Sequence, residues 1–129
     1  MASIRVERAI EAPAERVWDA LRDWGAIHQR LAPGFVTDAR LEGEDRIVTF
    51  FNGAVVREVL VDCDDEQRRL AWSVVDGPYT HHNGVAQVFA DGDGCRFVWT
   101  ADLLPNAAAG PTGEMMEQGI EVLKKAQEG

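Results

Sequence analysis

Between residues 35 and 104, turn-forming residues cut the chain into short stretches rich in Val, Phe, Trp and Thr: 35–42, 46–51, 54–63, 68–76, 79–90 and 95–104. The joints include Asn52-Gly53, Asp64-Asp65-Glu66-Gln67, Asp76-Gly77-Pro78 and Asp91-Gly92-Asp93-Gly94, and none of them could hold a helix. Parallel neighbours need crossovers of about a dozen residues or more, so these stretches are constrained to an antiparallel meander. Asn52-Gly53 predicts a two-residue hairpin turn with positive φ at both positions, which matches the twist of paired strands.

The flanks read differently. Ile4, Val6, Arg8 and Ile10 share one parity, while Arg5, Glu7 and Glu11 fall mostly on the other, as in a strand with one wet face. Pro13 suits a first helical turn, and Glu15 sits where the helix dipole favours negative charge. Val17, Ala20, Leu21 and Trp24 then follow as an apolar helical stripe. Gly25 interrupts it, and Ile27 and Leu31 ahead of Pro33-Gly34 predict a second short helix. Residues 106–111 read as a loop. Met115, Met116, Gly119, Ile120, Leu123 and Ala126 form the broad apolar face of a closing helix, with Lys124 and Lys125 near its positive-seeking end. One sheet with one chief covering helix makes an α+β fold.

At 129 residues a single domain spanning 1–129 is expected, and 46% apolar residues supply a core without help from metal or disulfide. Thirteen Lys and Arg against twenty-two Asp and Glu leave a net charge of −9, a field that repels phosphate backbones and argues against nucleic acid as a partner. Arg5, Glu7 and Arg8 stand where an export signal needs an unbroken apolar stretch, and no window approaches the ~18 apolar residues of a membrane span. A cytoplasmic location is expected, with Cys63 and Cys95 as reduced thiols. His28, His81 and His82 lack the i, i+4 spacing of a helical metal site, and Asp91-Gly92-Asp93-Gly94 lacks the rest of a calcium loop, so no metal is expected. Neither a phosphate-binding glycine loop nor a nucleotide fingerprint is present, and no cofactor is expected.

The element order, with APAERVW leading the first helix, REVLVDCDDEQRRLAWSVVDGP through the central hairpin and GDGCRFVWTADLLP before the last helix, resembles the polyketide cyclase/dehydrase-like branch of the START/Bet v 1 (SRPBCC) superfamily. The resemblance covers nearly the whole chain. It implies a helix-grip fold, in which a seven-stranded antiparallel sheet curls around a long C-terminal helix and encloses a cavity for hydrophobic or amphipathic molecules. The residues alone lead to a compatible arrangement, a wide sheet with one chief cover, although four Trp and five Phe could fill much of the space between them.

Adjacent residues of a strand point to opposite faces, so only one of His81 and His82 can enter a cavity. Counting back from the Gly94 turn puts His82, Gly84, Ala86 and Val88 inward. His82 reads either as a ligand-binding or acid/base imidazole, or as an idle histidine at a strand start. On the central strand, periodicity favours Arg57 as the inward charge, since Val55, Arg57, Val59 and Val61 form the more apolar set. The resemblance favours Glu58 instead, a carboxylate that would act as a proton donor in an apolar cavity unless a cation compensates it. Leu70, Trp72, Phe97 and Trp99 are expected on the concave face, with Met116 and Ile120 opposite them, Trp24 beside them and Tyr79 at the mouth; each could equally be plain core.

Three functions remain open on this reading. The first is binding of a small hydrophobic or aromatic molecule. The second is cyclase, dehydratase or isomerase chemistry by His82 and Glu58 without a cofactor. The third is a protein-interaction module whose cavity has filled in. The oligomeric state is left open.

Overall fold

The computed structural model describes residues 1–129. Strand β1 (Ala2–Ile10) leads into helix α1 (Ala14–Arg22), then a 3₁₀ turn at Trp24–Ala26 and a π turn at Ile27–Leu31. The meander follows as β2 (Val36–Glu42), β3 (Asp45–Phe50), β4 (Val55–Asp64), β5 (Arg69–Val74), β6 (His81–Asp91) and β7 (Gly94–Leu104). A 3₁₀ turn at Asn106–Ala108 then enters helix α2 (Ala109–Glu128). The sheet order is β1-β7-β6-β5-β4-β3-β2, antiparallel throughout. Every pair except β1 with β7 is a sequence neighbour, the outcome that short joints dictate.

Helix α2 begins inside the stretch expected to be loop. Pro111 is no obstacle there, because a proline in the first turn gives up an N–H that has no intrahelical acceptor. The Asn52-Gly53 joint also departs from expectation. Gly53 N–H donates to Phe50 C=O at 2.9 Å, Gly53 has φ +86, and Asn52 stays at negative φ. The reversal is therefore a longer turn centred on Phe51 and Asn52 and closed by a left-handed glycine, with Asn52 Oδ1 accepting from Ala54 N–H at 3.1 Å. Between β5 and β6, residues 75–80 form a loop, so both strands are shorter there than the apolar runs suggested.

Helix α1 buries Val17, Trp18, Ala20 and Leu21, and α2 buries Met116, Ile120 and Leu123, against a single core that includes Ile10, Val48, Leu70, Val88 and Phe97. Arg8 on β1 ties the strand to α2 through Glu121 at 2.6 Å and Glu117 at 2.5 Å. Two glycines let aromatic rings sit where a Cβ would collide. A Cβ at Gly84 would lie 2.5 Å from the Trp72 ring, and one at Gly119 would lie 2.8 Å from Phe35 and 3.0 Å from Trp99. The rings of Trp72, Phe35 and Trp99 thus lie directly on backbone. Cys63 and Cys95 are unbridged, and no helix is long and apolar enough to cross a membrane.

Candidate functional site

Sheet and α2 do not close completely on one another. A cavity of about 330 Å³ opens between them, walled by Trp72, Trp99, Phe35, Phe50, Val56 and Val74 from the sheet side. Met115, Met116, Thr112 and Pro111 wall it from α2, with Tyr79 and His82 at one end. A smaller hollow of about 60 Å³ lies deeper, lined by Phe97, Ala86, Leu21, Leu31, Leu123 and Arg46 among others. Phe35, Phe50, Glu58, Trp72 and Trp99 line both and so partition them.

The polar feature of this partition is an ion pair. Arg46 Nε donates to Glu58 Oε1 at 2.7 Å, with only 3% of the Arg46 side chain and 8% of the Glu58 side chain exposed. The pair is a direct cross-strand neighbour in the β3–β4 register. Arg46 is held further by stacking 3.6 Å from the Trp24 ring centroid and by donating from Nη1 to Trp24 C=O at 3.2 Å. Burial pulls the Arg46 guanidinium below its usual range, and the Glu58 carboxylate opposes that pull. A guanidinium does not give up its proton at neutral pH, so Arg46 is the compensating cation on which the proton-donor expectation for Glu58 is conditional.

Arg57, the inward charge by periodicity, faces outward. Its guanidinium bonds Asp45 at 2.7 Å and Glu42 at 2.8 Å on the wet face. Periodicity fails here because that face carries apolar residues as well: Val55 is 55% exposed and Val61 60%. Val61 also sits at an irregularity between Leu60 and Asp62, so alternation is broken within the strand.

On β6, Gly84, Ala86 and Val88 are buried, and His82 lines the large cavity. The His82 ring packs edge-on to Tyr79 with centroids 4.4 Å apart, and its Nδ1 is buried without a hydrogen-bond partner. Burial, helped by the nearby His81, lowers its pKa from 6.5 to about 4, so the ring is neutral at pH 7. Tyr79 Oη and Thr112 Oγ1 are 2.7 Å apart, fastening the 75–80 loop to α2 at the cavity end.

Trp72, Tyr79, His82, Trp99 and Met116 stand in the wall of the large cavity, and Phe97 lines only the inner hollow. Three other candidates lie elsewhere. Leu70 and Ile120 are packed solid in the core, 1% and 0% exposed, because their neighbours leave no gap beside them. Trp24 faces an outer groove with Leu41, Leu60 and Cys63, since its ring is turned to cover Arg46 and its Nε1 donates to Glu44 C=O at 3.0 Å. Sequence reasoning missed Arg46, Phe35, Phe50 and Met115. For Arg46 the signal was present: it shares parity with Val48 and Phe50 on β3, and a registered hairpin puts it opposite Glu58.

The low pKa of His82 has a measurable consequence. An unfolded chain binds this proton as pH falls through about 6.5, whereas the folded protein resists until about 4. Stability contributed by the neutral ring is therefore fully present above pH 6.5 and lost as pH falls from there towards 4. A His82→Phe variant is expected to show a shallower loss of Tm over that interval than the parent. Parallel Tm–pH curves for the two would rule this account out.

The family described as polyketide cyclase / dehydrase and lipid transport matches residues 1–128. The chain belongs to that family. Among solved structures, a protein from Thermobifida fusca is 28% identical with a TM-score of 0.77, covering 96% of this chain and 91% of that one. The protein XoxI from Bacillus cereus superposes with a TM-score of 0.88 at 19% identity, covering 98% and 96% of the two chains. A START superfamily protein from Mycobacterium smegmatis superposes at 0.74 with 12% identity over 98% and 94%. These last two likenesses show the shared fold. No curated protein matches the sequence. Membership of the polyketide cyclase/dehydrase and lipid transport family agrees with the seven-stranded sheet gripping a C-terminal helix, and it points to ligand binding or cyclase chemistry as the family's business.

Proposed function

We propose that this protein binds a small hydrophobic or aromatic molecule in the cavity between the sheet and α2. The observation that carries the proposal is the cavity itself: about 330 Å³, within the range of small-molecule sites, with eleven of its seventeen lining residues hydrophobic. Its walls are flat rings on one side and two methionines on the other, rigid surface facing adaptable surface. The open volume also speaks against a filled-in interaction module.

Both acid/base candidates favour recognition over chemistry. A general base works best with a pKa near the operating pH, and His82 at about 4 is too weak a base to draw a proton efficiently at pH 7. Glu58 is tied to Arg46 at 2.7 Å, and protonating it would strand a buried guanidinium. Cyclase or isomerase activity by this pair is the second reading.

The test is a thermal-shift titration of the full chain with a panel of neutral planar aromatics. A concentration-dependent rise in Tm is expected for at least one, by linkage, and the rise should disappear in Val56→Trp, where an indole occupies the cavity. A panel without any shift at millimolar concentration would count against the proposal.

A further inference from the structure

Of the polar residues that line the large cavity, Asn52, Glu58, Tyr79, His82 and Thr112, the Tyr79 and Thr112 hydroxyls are bonded to one another, and Glu58 and His82 differ in kind as contacts for a guest. Arg46 Nε takes Oε1 of Glu58, while Oε2 receives no hydrogen bond from the protein. The buried polar side-chain atoms that lack a partner are His28 Nδ1 and His82 Nδ1, so Oε2 is not sealed in, and Glu58 lines both the large cavity and the inner hollow. His82 lines the large cavity, and its Nε2, unlike Nδ1, is not sealed in. A neutral imidazole nitrogen can be donor or acceptor, but a carboxylate oxygen only accepts. Arg46, meanwhile, lines the inner hollow and not the large cavity. A molecule seated in the large cavity therefore meets the carboxylate without meeting the guanidinium behind it.

This asymmetry selects the guest. An anion would approach Glu58 with its cation shielded, in an apolar setting where like charges repel strongly. A pure hydrocarbon would cover Oε2 and leave it without water or donor, the expensive outcome for a charged acceptor. A neutral molecule with a hydroxyl or N–H satisfies the oxygen while its rings lie between Trp72, Trp99, Phe35 and the methionines. Resting on the cavity reading above, we infer that the guest is a neutral aromatic molecule bearing a hydroxyl or N–H donor, seated with that donor on Glu58 Oε2. The site so specified is a recognition site for phenol-like or indole-like compounds and rejects aromatic carboxylates.

Calorimetric titration of the full chain at neutral pH with matched probes tests this. The probes are indole against 1-methylindole, phenol against toluene, and indole-3-carboxylate as the anion. The donor-bearing member of each pair is expected to bind about tenfold or more tightly than its mate, the scale of a hydrogen bond to a charged group. The carboxylate is expected to bind more weakly than indole. In the double variant Arg46→Met/Glu58→Leu, which removes both charges together, the ratio within each pair should collapse towards one. Equal affinities within the pairs, tightest binding by the carboxylate, or a preference that survives in a folded double variant would each overturn the inference while leaving an apolar binding cavity intact. If none of the probes bound, the cavity reading would fall with it.

Discussion

Arg46→Met, with Glu58 left in place, is expected to destabilise the fold by about 3–5 kcal/mol, because it leaves a carboxylate buried with no counter-charge. For a chain of 129 residues that is a fall in Tm of roughly 10–20 °C. The size follows from position rather than from the ion pair as such. The thirteen ion pairs of the molecule are almost all surface contacts, whose individual contributions are of the order of 0–1 kcal/mol. Arg46–Glu58, 3% and 8% exposed, is the exception. Desolvation has already been paid for both groups, so removing one exposes the full penalty of the other. The double variant Arg46→Met/Glu58→Leu should recover most of the loss, since replacing both charges with apolar side chains of similar volume is commonly neutral or better. Thermal or urea unfolding of the three proteins checks this. A double variant as unstable as the single would show that the stability comes from the guanidinium's stacking on Trp24 and not from charge compensation.

Phe97→Ala should also cost about 3–5 kcal/mol, the range for deleting a large buried aromatic side chain. Phe97 is 1% exposed and stands in the wall of the 60 Å³ hollow. Removing its ring would enlarge that hollow in place, because the surrounding strands are held in register on both sides and can relax only partly. The new void would be lined by apolar atoms except at Arg46 and Glu58, and apolar cavities stay dry and accept small hydrocarbons. Benzene is therefore expected to raise the Tm of Phe97→Ala more than that of the parent. A loss of stability under about 1 kcal/mol would mean that sheet and helix collapse onto the vacancy, and that the site's walls are less rigid than the ring contacts at Gly84 and Gly119 imply.

Legibility differed from strand to strand for physical reasons. On β6, counting from the Gly94 turn identifies the inward set, because β6 and β7 pair without irregularity from Asp91–Gly94 to His81–Leu104. On β4 the same method picks Arg57, since the outer set holds Val55, Val59 and Val61 against Val56 alone in the inner one, and the ladder to β5 is irregular at Val61. Alternation distinguishes the two faces of a strand only where one of them is clearly polar. The start of α2 was obscured by Pro111, whose turn-forming habit and helix-starting habit look alike in sequence. The aromatic residues were all visible, yet nothing in their spacing separates Leu70, packed solid, from Trp72 two residues later, which borders open space.

What the order of residues determined by itself was the meander, its antiparallel sense and the amphipathic helix that must cover it, because turn chemistry and apolar period act over a few residues. The tertiary structure alone decided that Arg46 reaches Glu58 across a hairpin, that Trp24 turns away to cover the guanidinium, and that a hollow remains under α2. Those outcomes depend on sheet curvature and on the gap between helix and strands. They are set by the summed volumes of side chains distant in the chain, which local periodicity does not encode.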